Sequence, residues 1–372
     1  MPHFLSKSTA FRQGGNISHS CCNYINNSLN VKLEGGLVDL GSILSVKNLS
    51  TWFYLEEGVL KAVNDVSFEL SENEVLGIVG ETGSGKSITV RSIMRLIHHP
   101  GKIVNGQVIY RGRGKEEDIV KMDEDELTKI RGKEISMIFQ DPLTSLNPLY
   151  TIGDQLIETI MQHQDVDRAT AWKLAVEMLD KVQIPEPEKR MNSYPFEFSG
   201  GMKQRVVIAI ALSCNPKILI ADEPTTALDV TIQAQVLELM KDLQKELKTG
   251  TLFITHDLGV ISAMADRVMV MYGGRQMELA PAEELFHKPM HPYTNMLLKS
   301  IPRVDIKQEK LESIPGQPPR MIDVPDVCPF APRCPRRLDK CAKELPEFKE
   351  LEPGHYVRCF NPVEFGGDVN AK

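Results

Sequence analysis

The chain has 372 residues, 42% hydrophobic and 25% charged, which gives room for about two globular domains and a sizeable core. A formal net charge of −7 supplies no global basic field, which argues against a nucleic-acid partner, and no apolar run reaches the roughly 20 residues that span a bilayer. No continuous apolar segment follows the basic residues of the first thirty positions, so no signal peptide is expected and the cytoplasm is the default compartment. There the seven cysteines read as thiols or metal ligands rather than disulfides.

Residues 1–42 are rich in Asn, Ser and Gly without periodicity and are expected to form a disordered extension, in which Cys21-Cys22 is assigned no role. Order is predicted to begin at Ile43, where Leu44, Val46 and Leu49 start a strand pattern, and Val66, Phe68 and Leu70 alternate with polar residues. These strands predict an antiparallel sheet beside the next motif. Phe53 and Tyr54 lie between them, and an aromatic there suits core packing or stacking on a purine.

Gly80-Glu81-Thr82-Gly83-Ser84-Gly85-Lys86-Ser87 fits the phosphate-loop pattern G-x-x-x-x-G-K-[ST] at every fixed position. It follows the apolar run Val75–Val79 and precedes a segment of helical periodicity from Ile88 to Ile97, the context the motif requires. Glycines let backbone N–H groups approach phosphate oxygens, and a helix beginning near Lys86 adds its positive dipole end. Lys86 is expected to reach the outer phosphates and Ser87 to ligate Mg2+.

Ile135–Phe139 reads as a buried strand that delivers Gln140 to its carboxyl end, with Asp141-Pro142 as the stop. Helical spacing from Thr151 to Val182 predicts an inserted helical subdomain at about 141–205. Ser199-Gly200-Gly201 opens a helix to Leu212; a capping Ser with two glycines makes a second anion-binding helix end. Lys217–Ala221 is an apolar strand ending in Asp222-Glu223, two acids that are costly there without a cation or a catalytic task. Asp222 is placed to hold Mg2+, and Glu223 to polarise a water against the γ-phosphate. A helix with Ile232, Val236, Leu243 and Leu247 on one face follows Asp229 and is expected to end at Lys248 and Gly250. A further strand, Leu252–Ile254, leads to His256, which is placed to donate to the γ-phosphate, and Val268–Tyr272 completes the sheet.

Five motifs in this order resemble those of the ATP-binding-cassette (ABC) ATPases over roughly residues 43–280. The resemblance implies an α/β P-loop NTPase fold: a RecA-like parallel core, an antiparallel β subdomain and an inserted helical subdomain. The implied ATPase domain spans 43–285, with a small irregular C-terminal domain at 286–372. Gly80–Ser87 becomes the Walker A, Gln140 the Q-loop glutamine and a Mg2+ neighbour, Ser199–Gly201 the signature, and Ile218–Glu223 the Walker B. Asp229 becomes the D-loop acid, His256 the switch histidine and Phe53 the adenine-stacking aromatic, with Tyr54 as the alternative. The signature departs from the usual L-S-G-G-Q by carrying Phe198 and Met202 at its ends. Cassettes of this family dimerise head to tail, so the Ser199 helix end would serve a partner's ATP, and the partner is a second ABC ATPase subunit, in a heterodimer or a homodimer.

Asp141–Pro148, Phe198–Arg205, and Glu284–Pro289 with His291-Pro292-Tyr293-Thr294 resemble the oligopeptide/dipeptide importer subfamily. That implies an ATPase coupled to transmembrane peptide import. It would sit peripherally on the cytoplasmic face of the membrane, on two permease subunits fed by an extracytoplasmic substrate-binding protein. Import of nickel, glutathione or oligosaccharide by the same machinery, or a repair or chromosome ATPase, are the alternatives. The second of these would need a coiled coil or zinc insert between Lys86 and Ser199, where only an ordinary helical subdomain fits.

From Ile301 the chain turns proline-rich and little regular structure is expected. Cys328, Cys334, Cys341 and Cys359 read as staples, four thiolates that suggest zinc or an iron–sulfur cluster, with gaps that differ from paired zinc knuckles. The segment is similar to the [4Fe–4S] region of some dipeptide-import ATPases, which places the cluster ahead of Zn2+ and of unliganded thiols. Cys214 is read as buried packing.

Overall fold

The structure is a computed structural model that describes residues 30–33, 36–39, 41–140, 145–226, 228–300 and 314–364. Cys21, Cys22, Asp141–Thr144 of the importer-like stretch and the start of the proline-rich tail lie outside these. The chain divides into residues 1–41 and residues 42–372. In the first unit β1 (Asn30–Leu33) pairs antiparallel with β2 (Gly36–Asp39), so part of the segment read as disordered carries strand pairing.

In the second unit, β3 (Ser42–Leu55) and β4 (Gly58–Ser71) form a long hairpin; two further strands, β6 (Gly101–Tyr110) and β7 (Glu117–Asp118), complete a sheet ordered β4-β3-β6-β7. All its pairs are antiparallel. Between these strands in sequence lie β5 (Val75–Val79) and α1 (Lys86–Ile93), separated by the glycine-rich loop.

The central sheet is built from β5, β8 (Ile135–Ile138), β9 (Ile218–Asp222), β10 (Gly250–Ile254), β11 (Arg267–Tyr272) and β12 (Arg275–Pro281). Its parallel part runs β11-β5-β10-β9-β8. The strands are continuous apolar runs because both faces are covered. In β9, Leu219 and Ala221 face one core while Ile218 and Ile220 face the other; in β5, Val75 and Val79 divide likewise from Leu76 and Ile78. One core packs the helices from 152 onward, and the other packs the antiparallel sheet together with α1 and the helix Glu124–Ile130.

Helix α2 (Glu124–Ile130) precedes β8, and α3 (Ile152–His163), α4 (Arg168–Lys181), α5 (Pro187–Arg190) and α6 (Gly200–Leu212) follow it. Thr151 and Asp167 cap α3 and α4 by accepting from the N–H groups of Asp154 and Thr170, which fixes where each begins. Helix α7 (Val230–Leu247) is closed by Lys248 in a left-handed conformation (φ 53°) rather than by Gly250, which is the first residue of β10. Helices α8 (Leu258–Met264), α9 (Ala282–His287) and α10 (Pro292–Lys299) complete the set.

The C-terminal extension is more regular than its composition suggests. Strands β13 (Lys349–Glu352) and β14 (His355–Val357) join the central sheet at β12, with Glu278 opposite Val357 and Leu279 opposite Tyr356. The outer edge of β12 offered unpaired backbone groups, and two short strands satisfy them.

Candidate ATP-hydrolysing site

β5 delivers the loop at the carboxyl edge of the central sheet, and Lys86 begins α1 directly after it. Gly80 (φ 151°) and Gly85 (φ 104°) take backbone conformations that side chains avoid, and space forbids a side chain as well: a Cβ would lie 2.2 Å from the Met271 carbonyl oxygen and 2.4 Å from that of Ala62. The loop is thus pressed against β11 and β4. Lys86 is 5% exposed, and its Nζ donates to the carbonyl oxygens of Gly80 at 2.8 Å and Glu81 at 3.1 Å. Burial holds its pKa below the ordinary lysine value, with Glu223, Asp222 and Glu81 opposing the shift. Glu81, Thr82, Gly83 and Ser84 form the arc between, and Ser84 Oγ is buried with no hydrogen-bond partner among the described residues.

Ser87 Oγ donates to Asp222 Oδ1 at 2.8 Å. Asp222 is fully buried, its Oδ2 has no partner among the described residues, and burial raises its carboxyl pKa. A hydroxyl and an orphaned carboxylate oxygen side by side suit a hard divalent cation, which would satisfy that oxygen and reverse the shift. The Ser87–Asp222 pair therefore fits Mg2+.

The next residue, Glu223, has φ 50°, which turns its side chain out of the strand. Three polar groups meet its Oε2: Gln140 Nε2 at 3.2 Å, Thr226 Oγ1 at 3.0 Å and His256 Nδ1 at 3.4 Å. The ends of β8, β9 and β10 supply Gln140, Glu223 and His256, because parallel neighbours place all their carboxyl ends on one edge. Gln140 is thus bonded to Glu223, next to the Asp222 carboxylate and not on it.

The structure keeps the second anion-binding helix end away from this cluster. Ser199 caps α6 by accepting from Met202 N–H at 3.3 Å and is exposed, as is Gly200. A Cβ on Gly201 would meet Ile232 at 2.5 Å and one on Gly200 would meet Leu228 at 3.9 Å, so these glycines face α7 and its approach, not the loop at Gly80–Ser87. Phe198 is 4% exposed with the Arg190 guanidinium 5.6 Å from its ring, and Met202 packs on the core, so the departures in the signature serve packing. Asp229 caps α7 through Ile232 N–H at 3.0 Å. Phe53 is half-buried against Gly101, where a Cβ would come within 2.6 Å of its ring, whereas Tyr54 is 47% exposed with Lys102 Nζ 5.8 Å from its ring.

Comparison with known proteins gives the family. The ABC transporter family matches residues 63–226, and the family described as the C-terminal region of oligopeptide/dipeptide transporters matches 277–341. An oligopeptide transport ATP-binding protein of Escherichia coli, OppD, is 49% identical over 323 residues, covering 87% of this chain and 94% of its own length. The oligopeptide transport protein AppD of Bacillus subtilis is 49% identical over 330 residues, covering 88% of this chain and 99% of its own length. The chain belongs to the ABC transporter ATPases of the oligopeptide and dipeptide importer type. Among solved structures, a dimeric ATP-binding cassette in a post-hydrolysis state with ADP and Pi is similar at a TM-score of 0.57 and 29% identity, covering 64% of this chain and 98% of that one. As an ABC ATPase this importer subunit uses ATP and Mg2+ and powers peptide import.

The importer's four C-terminal cysteines depart from expectation. Cys328 and Cys341 are buried, Cys334 and Cys359 partly so, and all are free thiols. Burial, reinforced by the neighbouring thiols, pushes Cys328 up to about 11 and Cys359 up to about 12. Yet no group of three or more His, Cys, Asp or Glu among the described residues is arranged to hold a metal ion. The expected [4Fe–4S] or Zn2+ site is therefore not supported by this arrangement.

Sequence reasoning passed over four residues that touch the site. Thr226 is one, and a hydroxyl three residues after a strand-end acid is a signal for a local turn contact. The hydroxyl of Tyr293 accepts from Glu81 N–H at 3.0 Å, and Tyr272 and Arg333 lie beyond it. No local pattern announces these three.

Proposed function

We propose that the chain is one half of an ATP-driven clamp that powers uptake of oligopeptides or dipeptides. The observation that carries this reading is the meeting of Gln140, Thr226 and His256 on one oxygen of Glu223, beside the Ser87–Asp222 pair. Loop N–H groups and Lys86 bind the phosphates, while Phe53 stacks on the adenine. Ser87 and Asp222, with Gln140, would hold Mg2+, which when bound would supply neutralisation of phosphate charge. Glu223 orients a water and takes its proton as the oxygen attacks the γ-phosphorus. The bond to the β-phosphate oxygen breaks, giving ADP and phosphate, and His256 donates a hydrogen bond to the γ-phosphate.

Ser199, Gly200 and Gly201 face outward for a partner's nucleotide, and Asp229 lies at the seam. The partner is a second ABC ATPase subunit, in a heterodimer or a homodimer, and ATP closes the pair. A groove of about 340 Å3 lined by Leu96, Met137, Phe139, Thr159 and Ile210 offers a place for one permease subunit, so the two halves of the clamp would engage two. The subunit then sits peripherally at the cytoplasmic face, and an extracytoplasmic binding protein delivers the peptide. Among the described residues no helix is long and apolar enough to cross a membrane. Residues 1–42, 43–285 and 286–372 serve as extension, ATPase domain and importer-type tail.

A [4Fe–4S] cluster on Cys328, Cys334, Cys341 and Cys359 is the finer reading of that tail. It rests on the resemblance of the segment and is compatible with the N–H groups of Leu338 and Asn361, which donate to the sulfurs of Cys341 and Cys359 at 3.4 and 3.3 Å. Iron at about four per chain with visible absorption after anaerobic purification is expected; stoichiometric zinc without colour would reject the cluster.

The import reading is tested in proteoliposomes holding the subunit with its permease and binding protein. ATP hydrolysis should rise several-fold with a dipeptide or oligopeptide on the lumenal binding protein. Stimulation by nickel, glutathione or an oligosaccharide in place of peptides would reassign the solute.

A further inference from the structure

The phosphate loop is tied to the C-terminal extension by the Tyr293 hydroxyl and, at its one carboxylate, by a guanidinium. Arg333 lies in the short turn Ala331–Arg333, one residue before Cys334, and its side chain is 7% exposed. Its Nη1 and Nη2 donate to the two carboxylate oxygens of Glu81 at 2.7 and 3.2 Å. Nη1 also donates to the Tyr272 hydroxyl at 3.0 Å, Nε to the Pro315 carbonyl at 2.8 Å, and Nη2 to the carbonyls of Ile314 and Gly316 at 3.2 Å each. Every nitrogen of the fork is engaged, so the side chain has one geometry.

Glu81 is held from three sides. Its carboxylate meets Arg333, its N–H donates to Tyr293, and its carbonyl accepts from Lys86. Tyr272, Tyr293 and Phe330 pack together in tilted and edge-to-face arrangements, with ring centroids 4.6 and 5.3 Å apart, so the anchors share one aromatic cluster. The same extension also reaches the β3–β4 hairpin, where Asp323 N–H donates to the Val59 carbonyl and Val59 N–H to the Asp323 carboxylate, both at 3.0 Å.

We infer that Arg333 is a positioning residue for ATP: by pairing with Glu81 it neutralises a carboxylate in the phosphate loop and fixes the loop in its binding shape, so that nucleotide affinity depends on the C-terminal extension. A triphosphate entering beside an unpaired Glu81 would meet like charge in a partly buried site, where screening is weak. The paired guanidinium removes that repulsion. It does so in a fork geometry that an ammonium does not reproduce. The inference rests on the reading of Gly80–Ser87 as the ATP loop.

The test is equilibrium binding of a fluorescent ATP analogue with Mg2+ to the full chain. Arg333→Ala is expected to raise Kd about tenfold and Arg333→Lys about threefold, and adding Glu81→Gln to Arg333→Ala should recover at least threefold of the loss. Such recovery separates charge pairing from mere loss of fold, because independent damage would add. A Kd for Arg333→Ala within twofold of wild type overturns the inference, as does a defect that Glu81→Gln fails to relieve. If Arg333→Ala is recovered only as aggregate, Arg333→Met, which keeps the length of the side chain, carries the same expectations. Binding by wild type that Lys86→Ala abolishes, with the Arg333 variants unchanged, sinks this inference alone. Binding that Lys86→Ala leaves intact sinks the ATP reading of the loop and the inference with it.

Discussion

The hydroxyl of Ser87 donates to Oδ1 of Asp222 at 2.8 Å, joining residues 135 positions apart, and leaves Oδ2 of the same carboxylate buried without a partner among the described residues. A buried oxygen of this kind costs about 1–3 kcal/mol unless something satisfies it. Removing the carboxylate charge should therefore weaken metal-dependent binding specifically. Asp222→Asn is expected to raise the Kd for ATP at least tenfold with Mg2+ and less than threefold in EDTA, measured by nucleotide fluorescence. An equal loss in both conditions would remove Asp222 from the metal site.

Glu223 is the base in the proposed mechanism, and three side chains converge on one of its oxygens. Glu223→Gln keeps shape and loses basicity. Hydrolysis should fall 10²–10⁴-fold while ATP stays bound and cassettes elute as a closed dimer in gel filtration. A loss of less than tenfold would transfer the role of base to another group.

Gly85 leaves no room for a side chain: at φ 104° a Cβ would sit 2.4 Å from the Ala62 carbonyl oxygen. Gly85→Ala should cost roughly 1–3 kcal/mol through strain and displacement of β4. The same change should raise the Kd for ATP by more than tenfold. Thermal denaturation with and without ATP reads both effects; a variant with the wild-type Tm and Kd would contradict the close approach.

His291 links stability to pH. It is 1% exposed, its Nδ1 accepts from Tyr293 N–H at 3.0 Å, and burial pushes its pKa down to about 3, with a backbone hydrogen bond at Arg358 opposing. The folded protein keeps this imidazole neutral, while the unfolded chain takes up a proton below about 6.5. Between those values the unfolded state binds more protons, so stability rises with pH and is lost as pH falls below about 6.5, at up to ~1.4 kcal/mol per pH unit. His291→Asn, which retains a capping acceptor, should flatten the denaturant midpoint between pH 7.5 and 5.5. An unchanged slope would assign the acid sensitivity elsewhere.

Much of this protein is written locally. A phosphate loop works through consecutive backbone groups, so eight residues with their flanking strand and helix announce it, and Gly80–Ser87 could be read as soon as it was met. Strand-end acids are similarly local, since an apolar run ending in Asp222-Glu223 makes sense only with a cation or a reaction nearby. What tertiary structure alone decided is which distant groups meet these motifs. Arg333 and Glu81 lie 252 positions apart, and either side chain alone reads as an ordinary surface charge. The tail's proline-rich composition hid β13 and β14, because a strand of three or four residues draws its stability from the sheet edge it joins and not from its own pattern. Spacing likewise suggested a metal on four cysteines, whereas ligand geometry is a property of side-chain vectors that spacing does not fix. Short runs of neighbouring residues announce a phosphate loop and a strand-end acid pair; the fold alone brings Ser87 to Asp222, Gln140 to Glu223 and the C-terminal extension onto the loop.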